Sequence, residues 1–394
     1  MTDRIVVVPG PGLDPAECGR WAGELGVDVE IRPGDPAAVL AALASGHPSL
    51  CAGPGADDPA APTDPARLGG VIMAPGVDGF EAPGLATAVA AVGVPVVVVD
   101  RANVRKTMPR PEETRLLRAG ARLLYGRGAD TARHAVRFLA RRRTQRPDVL
   151  AYGPEAGQEG DLWMPAPGPA PHPVVVLFHG GFWYHAWERD LMDGLALDLA
   201  RRGVAAWNVE YRRVGAGGGW PVTAEDAHRA TEHLLALAPV YGLALDRVAL
   251  LGHSAGAQLA LWVAARRRRA SVHPRFLTGL ATIADLAAAR AERIGGGSVD
   301  RLLDGAGVAD FETALAEASP RARLPIGVPQ LLVHAVDDDV VPIAQTAGYA
   351  EAARAAGDDV TVLELKAGGH FDLIDPATPA WAAVAGRLEA ALGG

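Results

Sequence analysis

Ser254 lies in Gly252-His253-Ser254-Ala255-Gly256, between an apolar run at residues 248–251 and an Ala/Leu-rich helical pattern at 257–265. A serine on a tight strand-to-helix turn projects its oxygen clear of a sheet, and small residues two before and two after it let the backbones approach. An alcohol is a poor nucleophile at neutral pH, so this serine requires a base within reach and a group that orients the base. His370, in Gly368-Gly369-His370-Phe371-Asp372, is a histidine on a glycine-flanked loop after a strand pattern at 360–365. Asp337-Asp338-Asp339 follows a strand pattern at 330–333 and offers three acids. His179-Gly180-Gly181-Phe182-Trp183 follows the apolar run 174–178. A strand ending in consecutive glycines leaves backbone N–H groups unshielded, and such groups can point at a developing oxyanion.

The elements around these residues read as an alternating α/β pattern. Residues 149–163 predict two strands joined by a Gly-rich turn, and 165–173 a Pro/Gly/Ala loop. Strands follow at 174–178, 205–211, 248–251, 276–283, 330–333 and 360–365, with helices over about 191–201 and 223–237. Residues 284–323 interrupt this alternation with short helices around Gly295-Gly296-Gly297, which predicts a small lid at the loop edge of the sheet. In the first half, apolar β-branched runs at 5–8, 70–73 and 95–99 alternate with helical spacing at 16–25, 36–44, 82–92 and 131–141. Continuous apolar strands of this kind belong to a parallel sheet covered on both faces. The expected organisation is therefore a doubly wound α/β domain over 1–140, a linker at 141–148 and a second α/β domain over 149–394.

Length and composition narrow the functional classes. At 394 residues the chain is long enough for two domains, and 49% hydrophobic with 21% charged residues describes an ordinary globular protein. A net charge of −8 gives no electrostatic support for nucleic acid. Arg141-Arg142-Arg143 and residues 266–269 read as cations at helix C-termini. Cys18 and Cys51 are too few for a disulfide framework or a thiolate metal site, which fits a cytoplasmic protein. The N-terminal pattern is not that of a signal peptide, and no run approaches a membrane span. No metal or cofactor is expected. His179 with His185 and His228 with His233 lack zinc-helix spacing, the aspartate triplet lacks the spaced ligands of a calcium loop, and Gly10-Pro11-Gly12 is a poor dinucleotide fingerprint.

Two resemblances give these patterns a family setting. Val6 to Leu13 (VVVPGPGL), the segment 70–76 (GVIMAPG) and the segment 94–104 (VPVVVVDRANV) resemble a type II 3-dehydroquinate dehydratase over most of residues 4–140. This implies a flavodoxin-like fold and trimer-based assembly. It does not carry the activity across. Pro9 and Gly12 stand where that family has asparagines, Leu13 runs almost directly into the first helix, and the first tyrosine is Tyr125. Asp100 and Phe80 occupy the family's histidine positions, and only Asn103 remains of the polar set. A site without base or enolate stabiliser cannot supply the roughly 10²–10⁴-fold of general acid–base catalysis. The domain therefore reads as a catalytically retired copy, kept for homo-oligomer assembly in preference to walling the neighbouring active site or binding a small ligand.

Residues 147–394 resemble the α/β-hydrolase superfamily, specifically its esterase and kynurenine-formamidase-like branch. The match is carried by residues 179–183, 252–256, Asp338 and 369–372, with Ala335 where the pattern usually has glycine. The resemblance selects Asp338, four residues after His334 and four before Pro342, over Asp339, while Asp337 caps or solvates the turn. It implies acyl transfer: Ser254 attacks a carbonyl, His370 moves the proton and Asp338 fixes the imidazole. The oxyanion would be held by amides of Ala255 and of the Gly180, Gly181, Phe182 turn, with Trp183, Tyr184 and Tyr211 as candidate substrate walls. The expected reaction is hydrolysis of a small ester or amide, including an aryl formamide. A lyase or cyclase reusing the site without acylation, and a non-catalytic binding or scaffold protein, remain the alternatives.

Overall fold

Parallel strands flanked by helices recur through the computed structural model, which describes residues 4–8, 14–24, 28–32, 35–45, 68–73, 85–91, 96–100, 121–125, 131–266, 270–304 and 310–393. The chain divides into two compact units, Met1–Arg146 and Pro147–Gly394. In the first, β1 (Arg4–Val8), β2 (Asp28–Ile31), β3 (Leu68–Met73), β4 (Val96–Asp100) and β5 (Ala121–Tyr125) form a parallel sheet in the order β2-β1-β3-β4-β5. Strand order reverses between β1 and β3, the place where open α/β sheets bind ligands. Ile5, Val7, Ile72 and Val97 on the strands pack with Cys18, Ala22, Val136 and Leu139 on the helices. The sequence pattern misses β2 and β5. β2, Asp-Val-Glu-Ile, is a short edge strand whose Ile31 is 51% exposed, so it lacks the continuous apolar signature of its neighbours. The dehydratase-like positions 9–13, 74–80 and 101–104, and Cys51, lie outside the described residues.

The second unit is built on an eight-stranded sheet in the order β13-β12-β11-β10-β8-β9-β7-β6. Its strands are β6 (Asp148–Ala151), β7 (Glu159–Trp163), β8 (His172–Phe178), β9 (Ala205–Val209), β10 (Leu243–His253), β11 (Phe276–Leu280), β12 (Gln330–Ala335) and β13 (Val360–Leu365). β7 runs antiparallel to both β6 and β9, and the remaining pairs are parallel. Successive side chains alternate between two cores. Val174, Val176, Phe178 and Leu250 join one, and Val175, Leu177, Ala249 and Leu251 the other. Burial on both faces explains why these strands are apolar throughout, at about 1.5–3 kcal/mol per fully buried large aliphatic side chain.

Helices close both faces. Thr378 caps the last one, Pro379–Leu392, by accepting from the Trp381 amide, and Trp381, Val384, Leu388 and Leu392 make its buried stripe. The expected single helix at 223–237 is two helices, Val222–Glu232 and Leu234–Tyr241, meeting at His233. Residues 284–323 carry the helices Leu286–Ala291, Ser298–Leu303 and Phe311–Ala318, whose Leu286, Val299, Leu302 and Leu315 are part of the main core. Among the described residues no helix is long and apolar enough to cross a membrane.

Candidate active site

β10 passes into the helix Ala255–Ala265 with Ser254 as the single residue between them. Ser254 takes φ 55°, ψ −119°, a conformation that costs a non-glycine residue about 1–3 kcal/mol and persists only where neighbours hold it. They do: its amide donates to Leu280 O (2.7 Å) and its carbonyl accepts from the Ala257 amide (3.0 Å). The flanking glycines are steric necessities. A Cβ on Gly252 would lie 2.2 Å from Gly256 O, and one on Gly256 would lie 2.1 Å from Phe178 O. The turn after β8 packs against the elbow, since a Cβ on Gly180 would stand 3.1 Å from Ser254 Cβ.

His370 reaches the same sheet edge from the loop after β13. Gly368 (φ 140°) and Gly369 (φ 53°) turn the chain there, and both amides donate to Asp337, at 3.3 and 3.0 Å. His370 Nδ1 lies 2.8 Å from Asp338 Oδ2, while Asp339 is exposed. An ionised carboxylate only accepts, so Nδ1 carries the proton and Nε2 is left to receive one. The Asp338 side chain is fully buried. Burial alone would raise its pKa, but hydrogen bonds from His334, His370 and the Val341 amide hold the carboxyl far below its usual range. His253 donates from Nε2 to the His370 carbonyl (3.1 Å), its ring 4.6 Å from that of His370. Burial, reinforced by His370, keeps His253 well below the usual histidine range. Among the described residues Ser254 Oγ has no hydrogen bond to His370.

The turn after β8 contains three consecutive left-handed residues, Gly181 (φ 114°), Phe182 (φ 54°) and Trp183 (φ 57°). A Cβ on Gly181 would meet Trp187 Cβ at 2.2 Å. The same backbone corrects two expectations. Trp183 and Tyr211 are wholly buried and do not wall an open pocket. Trp183 points its indole N–H at Gln258 Oε1 (2.9 Å), while Tyr211 stacks on His179 (4.4 Å) and donates to its carbonyl (2.7 Å). Both support the turn from beneath. Tyr184 is half-buried, as are Phe182 and Trp187. Phe371, 40% exposed, stacks on Trp187 at 5.7 Å and edges onto His370 at 5.2 Å.

Glu210 escaped the sequence reading and is the turn's main support. It is buried, accepts from His179 Nε2 (3.0 Å) and the Arg189 amide (3.0 Å), and forms an ion pair with Arg213, whose Nε lies 3.1 Å from Glu210 Oε1. Arg213 in turn donates to the carbonyls of His185 (3.0 Å) and Trp187 (2.5 Å). Burial would raise Glu210, but Arg213, His179 and Arg189 outweigh it and keep the group ionised. The available signal is an acid directly after the strand Ala205–Val209, whose residues are apolar apart from Asn208, in Val209-Glu210-Tyr211-Arg212-Arg213. Removing one partner of a buried ion pair strands the other, so Glu210→Leu should destabilise the protein by about 3–5 kcal/mol in urea unfolding.

His185, in the same turn, is pushed down to about 4 by burial and then by Arg213. The unfolded chain therefore binds a proton below about pH 6.5 that the folded chain refuses until about pH 4. Stability from this group is complete above pH 6.5 and falls with pH across that window. Urea midpoints recorded from pH 7 to pH 4.5 should fall steadily, and His185→Asn should flatten the slope. Among the described residues no group of three or more His, Cys, Asp or Glu is placed to hold a metal ion.

Comparison with known proteins places the fold. The BD-FAE family matches residues 161–352. Esterase LipC of Mycobacterium tuberculosis is 26% identical over 259 residues, covering 61% of this chain and 62% of its own. Kynurenine formamidase of Danio rerio is 30% identical over 125 residues, 32% of this chain and 40% of its own. The chain thus spans less than two thirds of either curated relative. Among solved structures, carboxyl esterase 2 of Tuber melanosporum aligns with a TM-score of 0.52 at 23% identity, covering 62% of this chain and 87% of its own. A bacterial heroin esterase aligns with a TM-score of 0.53 at 19% identity, covering 63% and 84%. The shared fold is that of the α/β-hydrolases.

Proposed function

We propose that the second unit is a serine hydrolase that cleaves a small ester or amide, an aryl formamide included, through an acyl-serine intermediate. The observation that carries this reading is the Asp338–His370 pair at 2.8 Å on the sheet edge where Ser254 is held at φ 55°. His370 Nε2 takes the Ser254 proton as Oγ attacks the substrate carbonyl, and gives it to the leaving group when the tetrahedral intermediate collapses. Water then repeats the sequence on the acyl-enzyme, with Asp338 keeping the proton on Nδ1 throughout. Amides of Ala255 and of Gly181 or Phe182 receive the oxyanion, and loss of one such donor costs about 10²–10³ in turnover. The open Ser254–His370 geometry suits a site that tightens on substrate. The two relatives, an esterase and a formamidase, support the same chemistry.

A fluorophosphonate probe tests this directly. Tryptic mass spectrometry should find the adduct on Ser254, and an unmodified Ser254 after saturating treatment counts against the reading.

The remaining assignments belong to the same proposal. Residues 284–323 are read as a lid, supported by the Phe182 ring packed where a Cβ on Gly295 would stand, 2.5 Å from its Cδ1. The first unit is read as a flavodoxin-like module, supported by its strand order, that assembles the chain into a cytoplasmic homo-oligomer. Light scattering at micromolar concentration decides the assembly, and a monomer removes it.

A further inference from the structure

Asp338 Oδ2 faces a second histidine besides His370. His334 Nε2 lies 3.3 Å from Asp338 Oδ2 and 2.9 Å from Val341 O, and its Nδ1 lies 2.7 Å from Thr346 Oγ1. His334 and Thr346 are wholly buried. The two oxygens facing Nε2 are a carbonyl and a carboxylate, neither of which donates, so Nε2 carries the ring proton and shares it between them. Asp338 Oδ1 already accepts from the amides of Val340 (2.9 Å) and Val341 (2.8 Å), and Oδ2 from His370 (2.8 Å). With His334 added, all four lone-pair directions of the carboxylate are engaged.

We propose that His334, oriented by Thr346, is a positioning residue that locks the plane of the Asp338 carboxylate and thereby aims His370. This rests on the reading of Ser254, His370 and Asp338 as an acyl-transfer site. Two amides restrain the carboxylate through Oδ1 alone. The His334 N–H supplies the second restraint on the oxygen that holds the base. The titratable groups facing Asp338 are His334 on β12, Asp337 beside it in the loop that follows β12, His370 on the loop after β13 and His253 at the end of β10.

The test uses the full chain with 4-nitrophenyl acetate and the variants His334→Gln, His334→Leu and Thr346→Val, each checked for folding by circular dichroism. His334→Leu should lower kcat on the order of 10²-fold, the cost of a small misalignment at the reacting groups, with KM unchanged. Its acid-side half-maximum of kcat/KM should move to higher pH, because a carboxylate with fewer donors attracts the imidazolium proton more strongly. His334→Gln, which presents an amide N–H near the Nε2 position, should recover most of the rate. Thr346→Val should shift rate and profile the same way by less. A folded His334→Leu or Thr346→Val with unchanged kcat and profile overturns the proposal, as does a His334→Gln variant as slow as His334→Leu. If His334→Leu does not fold, Thr346→Val decides. Fluorophosphonate labelling of Ser254 in the unmodified chain separates the two levels. Its loss removes the acyl-transfer reading, whereas unmoved profiles in a chain that labels remove the role of His334 alone.

Discussion

Ser254→Ala should lower kcat for 4-nitrophenyl acetate by roughly 10⁴–10⁶-fold, leave the fold intact and abolish fluorophosphonate labelling. The fold is expected to survive because alanine keeps the Cβ and the backbone bonds that hold φ 55°, namely Ser254 N to Leu280 O and Ala257 N to Ser254 O. The rate falls because no nucleophile remains, while the amides of the β8 turn can still polarise a carbonyl and leave a residual rate. Asp338→Asn should cost about 10⁴-fold by letting the wrong nitrogen of His370 carry the proton. Groups that act as a unit are not additive, so Ser254→Ala/His370→Ala should be no slower than either single variant. Steady-state kinetics with active-site titration checks all three. Turnover that persists in Ser254→Ala but vanishes in His370→Ala would move the protein to the non-acylating class, and turnover indifferent to both would leave a binding protein.

What the sequence discloses and what it hides have physical reasons. The strands of the second unit are visible because burial on both faces makes them apolar without alternation, as at Val174, Val175, Val176, Leu177 and Phe178. The strand-to-helix turn at Ser254 is visible because backbones within 2.2 Å of a hypothetical Cβ admit only glycine at positions 252 and 256. Asp338 could be preferred from its spacing to Pro342, and it is Asp338, with its buried side chain, that touches His370. Trp183 and Tyr211 could not be placed. Three successive positive φ values turn Trp183 inward, and no periodicity in sequence encodes that rotation. Glu210 was hidden for a related reason: a buried charge is stable only through partners at positions 179, 189 and 213, which the fold alone brings together.

Gly256→Ala tests the steric side of this account and is expected to have a large structural effect for a single methyl group. The added Cβ would stand 2.1 Å from Phe178 O and 2.4 Å from His179 O, both backbone atoms, so no side chain can rotate away to relieve it. Either the end of β8 or the first turn of the Ala255–Ala265 helix must shift. Overpacking of this kind costs about 1–3 kcal/mol or more, and about 2–4 °C of Tm per kcal/mol in a unit of this size. A Tm lowered by roughly 5–10 °C is therefore expected. Because the carbonyls displaced belong to β8 and the turn proposed to hold the oxyanion, kcat should also fall on the order of 10²-fold while folded protein remains. Gly386→Ala supplies the opposite case. That glycine lies inside the Pro379–Leu392 helix with nothing within 4 Å of a new Cβ, so the substitution should stabilise by about 0.5–1 kcal/mol and leave kcat alone. Differential scanning calorimetry on the pair gives the answer in two scans. Equal effects of either sign would show that close approach at Gly256 does not shape the elbow, whereas opposite shifts would tie the catalytic turn to the absence of one carbon atom.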